Sequence, residues 1–266
     1  MITLPHLETN VTVACQLRCV SCNHFVALQA NEARKRLADP VQVYDDLATL
    51  SKFVHTDAWG ALGGEPLLHP NLVDVLTAAQ KSRIADVIEV WTNGIAVRKM
   101  GPAFWDSFDR LVLSVYPGTL DDAEIDWIKA ACVEAQVECS VKDERVVPNF
   151  ERLLEPSRSA PAETLAKYRA CFFKDYSRVA DNGFFYRCCT SPFIPRLLLG
   201  LPEGTDGIRI SDLTESALFM FLGQREAPAS CQVCSGLDPA IRRRVDWKEE
   251  RNPERWLEAS KSERKI

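Results

Sequence analysis

Between Leu7 and Val141 the chain alternates strand-like and helix-like segments, and few architectures accept that pattern. Leu7, Thr9, Val11 and Val13 fall on alternate positions, the period-two mark of a strand that runs straight into Cys15. Asp39-Pro40 then reads as a helix cap with proline in the first turn, and Val43, Leu47, Leu50 and Val54 continue at helical spacing to about His55. Residues 58–62 form a short apolar run closed by Gly63-Gly64, and Leu72, Val75, Leu76 and Ala79 share one face of a helix over 70–82. Strands at 87–92, 111–115 and 137–141 alternate with helices over 102–108 and 120–135. The pattern predicts an α/β fold of six β/α units, with a parallel sheet and helices packed outside it. Six units fall short of a complete eight-fold barrel, so a partial (β/α)6 TIM-like barrel is expected.

Beyond Pro148 the alternation stops. SRSAPAE reads as a linker, 168–236 is irregular and rich in cysteine, and the end mixes both charge signs with Trp247, Trp256 and Leu257. The expected organisation is a barrel over 1–150, a small cysteine-rich module over 151–239, and a charged surface helix or tail over 240–266. With 46% hydrophobic and 26% charged residues, the 266-residue chain is globular in type and long enough for a substantial core. A net charge of -5 gives no broad basic field, so nucleic acid is not an expected partner. The first residues lack a basic region followed by an apolar one, and no apolar run approaches the roughly 20 residues that cross a bilayer. A cytoplasmic protein with no membrane partner is therefore expected. Ten cysteines in a reducing compartment point to metal or redox chemistry rather than to disulfides.

Cys15, Cys19 and Cys22 lie within eight residues, CQLRCVSC, at the end of the first strand. Thiolates suit soft metals, zinc and iron-sulfur iron among them. A closed zinc site takes four ligands, and no fourth cysteine lies nearby, although a zinc knuckle could borrow His24. Three cysteines around a four-iron cluster would leave one iron open to an outside ligand. At the end of the second strand stands Gly63-Gly64-Glu65-Pro66, where glycines allow a ligand close to the backbone and Glu65 offers a carboxylate to an ammonium group.

With these two motifs on consecutive strands, the sequence resembles the radical S-adenosylmethionine (AdoMet) enzymes over about its first 145 residues. The resemblance implies a [4Fe-4S] cluster held by Cys15, Cys19 and Cys22, with AdoMet chelated to the open iron. It also implies that Gly63, Gly64 and Glu65 bind the methionyl end. The family often has an aromatic residue before the third cysteine, where this chain has Ser21. Thr92-Asn93-Gly94 and Ser114 stand at later strand ends, where barrel ligands gather, and the resemblance places Thr92, Asn93 and Ser114 near the ribose or carboxylate. An Asn-Gly pair is equally a simple turn.

Cys171, Cys188, Cys231 and Cys234 make a second set. Cys231-Gln-Val-Cys234 is a CxxC pair, and Gly183 precedes Cys188 in GFFYRC. The set resembles the twitch module, the shortened relative of the SPASM domain, and implies one auxiliary [4Fe-4S] cluster. Cys189 is the alternative to Cys188, and a structural zinc is the competing occupant. Cys132 and Cys139 read as core residues.

The resemblance implies formation of a 5′-deoxyadenosyl radical and hydrogen abstraction from a substrate, with flavodoxin or ferredoxin as electron donor. With an auxiliary cluster as electron acceptor the outcome is dehydrogenation; without one it is epimerisation or rearrangement. A small polar substrate, a sugar or aminocyclitol, is expected. Peptide-maturing relatives carry an N-terminal recognition domain, and here the cluster motif begins at Cys15. Substrate-side candidates are His24, Tyr116, Lys142, Asp143, Glu144 and Arg145, with Arg145 and His24 first. A non-catalytic iron-sulfur carrier would need neither the GGEP nor the TNG motif.

Overall fold

The computed structural model describes residues 1–32, 35–145, 149–236 and 244–262. The chain forms two compact units, one of residues 1–16 and 31–148, the other of residues 17–30 and 149–266.

The first unit is built on five parallel strands, β1 (Ile2–Thr12), β2 (Val54–Gly63), β3 (Ala85–Thr92), β4 (Arg110–Val115) and β5 (Glu138–Asp143), each paired with its sequence neighbour. The crossovers carry α1 (Pro40–Leu50), α2 (Leu72–Ser82), α3 (Pro102–Trp105) and α4 (Asp122–Glu134). The Asp39 carboxylate caps α1 as expected, accepting from the amides of Val41 (2.8 Å) and Gln42 (3.4 Å) with Pro40 at the first position. Leu47, Leu50, Val75 and Leu76 are fully buried, and so is Trp59, whose indole N–H donates to Thr9 Oγ1 at 3.0 Å.

The segment after β5, β6 (Asn149–Glu151), belongs to the second unit and pairs antiparallel with β10 (Arg244–Asp246). Between them in sequence lie α5 (Pro161–Ala170), α6 (Phe173–Tyr176), β7 (Ser177–Asp181), β8 (Phe184–Tyr186), α7 (Ile194–Leu198), β9 (Gly207–Arg209) and α8 (Glu215–Leu222). β7, β8 and β9 form an antiparallel meander within the region read as irregular.

The last helix, α9 (Pro253–Lys261), falls in the segment expected to be a charged surface helix or tail. Its charged residues face outward, but Trp256 and Ser260 are fully buried, and the Trp256 ring packs on Phe25 at 5.7 Å. Residues 17–30, which carry Cys19 and Cys22, thus share a unit with the C-terminal segment. Among the described residues, no helix is long and apolar enough to cross a membrane.

Candidate active site

The Glu65 carboxylate is the hub of the first unit. It is 1% exposed and accepts three hydrogen bonds: Thr92 Oγ1 at 2.6 Å and Leu67 N at 3.1 Å on Oε1, and Asn93 N at 2.8 Å on Oε2. Burial outweighs these three donors and raises its pKa to about 7. The Asn93 side chain reaches back to the cysteine loop, donating from Nδ2 to Gln16 Oε1 (3.1 Å) and Cys15 Sγ (3.8 Å). Thus Cys15, Glu65, Thr92 and Asn93, from three separate strand ends, are linked by direct hydrogen bonds.

Gly63 and Gly64 lie hard against the backbone at the end of β1. A Cβ at Gly63 would stand 2.2 Å from Thr12 O, and one at Gly64 would stand 2.1 Å from Ala14 O. The backbone that approaches these glycines is the end of β1, and Gly64 N and Glu65 N donate to Thr12 O (2.6 Å) and Ala14 O (2.7 Å). This pairing fixes where the Glu65 side chain begins.

Cys15 belongs to the first unit, Cys19 and Cys22 to the second. Burial raises the pKa of the Cys22 thiol, while the amides of His24, Val26 and Phe25 hydrogen-bond its sulfur and pull the other way. Backbone N–H groups aimed at a sulfur suit a thiolate ligand, and such bonds tune iron-sulfur centres.

In the second unit Cys171, Cys188, Cys231 and Cys234 lie within electrostatic reach of one another. Burial and the neighbouring thiols push Cys231 up, and burial with Cys188 pushes Cys234 up to about 12. Such thiols stay protonated at neutral pH and would each release a proton on ligating a soft metal or an iron-sulfur cluster, for which cysteine sulfur is the fitting donor. Among the described residues, no three His, Cys, Asp or Glu side chains converge closely enough for a single metal ion. The CxxC turn is positioned by Asp206, whose carboxylate accepts from Ala229 N (2.7 Å) and Ser230 N (2.8 Å), and by Lys167, which donates to Cys234 O at 3.0 Å. Cys189 is buried in a core with Val179 and Tyr186, against which Cys188 also packs, and Asn23 Nδ2 donates to its sulfur at 3.7 Å.

The other expected residues have distinct settings. Ser114 lies on β4 opposite Lys142 of β5. Arg145 is held by two carboxylates, Asp143 (2.7 Å and 2.9 Å) and Asp122 (2.9 Å), which bind its proton more tightly and make it a donor rather than a base. His24 is buried, its ring edge-on to Phe193 at 6.1 Å. Cys132 is fully buried on α4 and its thiol hydrogen-bonds that of half-buried Cys139 on β5.

Sequence reading missed a charged cluster inside the first unit. His6 contacts Glu8 (3.4 Å) and Glu89 (3.1 Å); Glu89 also accepts from Arg110 (2.6 Å) and the Trp91 indole (2.7 Å), and Lys142 Nζ sits 3.6 Å above the Trp91 ring. Burial opposes charge here, but the carboxylates overcome it and raise His6 to about 9, while His6, Trp91 and Arg110 hold Glu89 down at about 2. His6 and Glu8 at alternate positions of a strand buried on both faces were the available signal.

No family model and no curated protein matches the chain. Among solved structures it is similar to BtrN in complex with AdoMet and 2-DOIA, with a TM-score of 0.52 at 13% identity, covering 83% of this chain and 82% of that one. Streptococcus suis SuiB bound to S-adenosylmethionine is a looser match, with a TM-score of 0.39 at 11% identity over 81% of this chain and 66% of that one. The likeness to BtrN is one of fold, and the chain shares its α/β architecture.

Proposed function

We propose that this chain is a radical AdoMet oxidoreductase. In this reading Cys15, Cys19 and Cys22 hold a [4Fe-4S] cluster, Gly63, Gly64 and Glu65 receive the methionyl end of AdoMet, and Thr92, Asn93 and Ser114 flank its ribose or carboxylate. Cys171, Cys188, Cys231 and Cys234 hold an auxiliary [4Fe-4S] cluster. Bound together, cluster and AdoMet supply a 5′-deoxyadenosyl radical that takes hydrogen from a small polar substrate such as a sugar or aminocyclitol. The observation that carries this reading is the hydrogen-bonded line from Glu65 through Thr92 and Asn93 to Cys15, which joins three separate motifs in one place. BtrN, similar in fold, was crystallised with AdoMet and 2-DOIA, which supports the same cofactor and substrate class here.

The residues present suit these roles. Glu65 is a desolvated carboxylate ready to pair with an amino group. Arg145, fixed by Asp143 and Asp122, offers a preset cationic donor at the end of β5, and His24 a second polar group beside the cysteine loop. Dehydrogenation is favoured over epimerisation because the spare thiol, Cys189, is packed in a core rather than presented as a hydrogen donor. An electron donor of the flavodoxin or ferredoxin type completes the scheme, in the cytoplasm.

The test is iron and sulfide content after anaerobic reconstitution, in wild type and in a Cys15/Cys19/Cys22 triple alanine variant. About eight irons should fall to about four in the variant, with loss of 5′-deoxyadenosine formation from AdoMet under reduction. Iron content unaffected by the triple variant would sink the assignment, and zinc at the second set would remove the auxiliary cluster and with it the dehydrogenase reading.

A further inference from the structure

The loop that carries Cys19 and Cys22 has almost no regular structure, so its backbone groups need partners from elsewhere. The last described segment of the chain supplies them. Val20 N donates to Lys248 O at 2.8 Å, and Glu250 N donates to Arg18 O at 2.9 Å. Ser21 stands in the left-handed region (φ 64°), and its amide donates to the buried Ser260 hydroxyl at 3.0 Å. The Trp256 indole N–H donates to the Cys19 carbonyl at 2.8 Å, while the ring packs on Phe25, three residues past Cys22. The backbone between the second and third cysteines is therefore tied to residues more than 220 positions later in the chain.

α9 is well prepared for this. Asn252 Oδ1 caps it by accepting from Glu254 N (2.9 Å) and Arg255 N (3.1 Å), and Pro253 sets its first turn. Trp256 and Ser260, four residues apart, share the one face that meets the loop. Leu257, Ala259 and Lys261 are half-buried and the other helix residues exposed, so Trp256 and Ser260 are the two fully buried side chains of α9.

We infer that the segment 244–262 is a latch on the cysteine loop, with Trp256 as the positioning residue that keeps the loop closed on its cluster. The inference rests on the proposed cluster at Cys15, Cys19 and Cys22. The latch works by holding the Cys19–Ser21 backbone in the ligating conformation; opening it exposes the iron ligands to water and to competing chelators. Trp256→Phe keeps an aromatic ring facing Phe25 while removing the indole N–H together with part of the ring, and Ser260→Ala removes the partner of the Ser21 amide.

The measurement is the rate of anaerobic iron loss to a ferrous chelator from the reconstituted full chain. Wild type and Trp256→Phe are compared, each also in the Cys15/Cys19/Cys22 triple alanine background, where only the auxiliary iron remains. Loss of one hydrogen bond should speed release of the loop-held iron about five- to tenfold, with auxiliary iron released at the wild-type rate. Ser260→Ala should act in the same direction. Equal rates in wild type and Trp256→Phe would overturn the latch, and so would equal acceleration of both iron pools, which would mark a merely structural tryptophan. If wild type holds no iron dependent on the three cysteines, the cluster assignment itself fails, a result separable from either of these because it is read before any tryptophan variant is made.

Discussion

A carboxylate that keeps its proton to about pH 7 makes Glu65 sensitive to pH in a defined direction. Its folded pKa lies above the ordinary 4.5, so its contribution to stability is complete below about 4.5 and is lost as pH rises through about 7. A ligand ammonium group needs the ionised form and should therefore bind more tightly as pH rises. AdoMet affinity, measured by anaerobic titration calorimetry, is expected to increase roughly tenfold per pH unit up to about 7 and then level off. Glu65→Gln should weaken binding and abolish that slope while leaving iron content unchanged; a Gln variant with the wild-type slope would remove Glu65 from the site. The motif and its carboxylate were legible in the sequence. Its bond to Asn93 was not, because 28 residues and a whole strand-helix crossover separate the two.

At the scale of elements, the close pairing of β1 and β2 explains why glycines stand at their ends. A methyl group at Gly64 would collide with the Ala14 carbonyl carbon and oxygen (2.6 Å and 2.1 Å), backbone atoms that cannot rotate aside. Gly64→Ala is expected to cost more than about 3 kcal/mol in urea denaturation and to disrupt the neighbouring Glu65 geometry. Gly60→Ala, which meets the movable end of Leu62, should cost less. Equal, small losses for the two variants would contradict the strand-end pairing. The strands, the helices and the Asp39 cap were readable from periodicity and turn chemistry, since those patterns record which face of an element is buried. The meander of β7, β8 and β9 was missed because its strands, three to five residues long, carry too few alternations to stand out. The burial of Trp256 and Ser260 was not legible in α9, whose composition is dominated by exposed charge.

At the scale of the molecule, the second unit brings Cys171, Cys188, Cys231 and Cys234, from a span of more than sixty residues, within electrostatic reach of one another, and buries Cys189 in a core. Cys188→Ser should therefore lower reconstituted iron by about four per chain, and Cys189→Ser should leave it near wild type. The reverse result would exchange the two assignments. By itself the sequence determined the α/β class, the strand ends that bear the motifs, and the residue types capable of holding a cluster and an amino group, because these depend on local periodicity and spacing. Only the tertiary structure decided that Glu65 joins Asn93, that Cys189 is buried beside Val179 and Tyr186, and that Trp256 holds the carbonyl of Cys19. Each of those is a contact between separate segments, and such contacts are fixed by how the whole chain buries its surface and satisfies its backbone, a condition that no short stretch of residues contains.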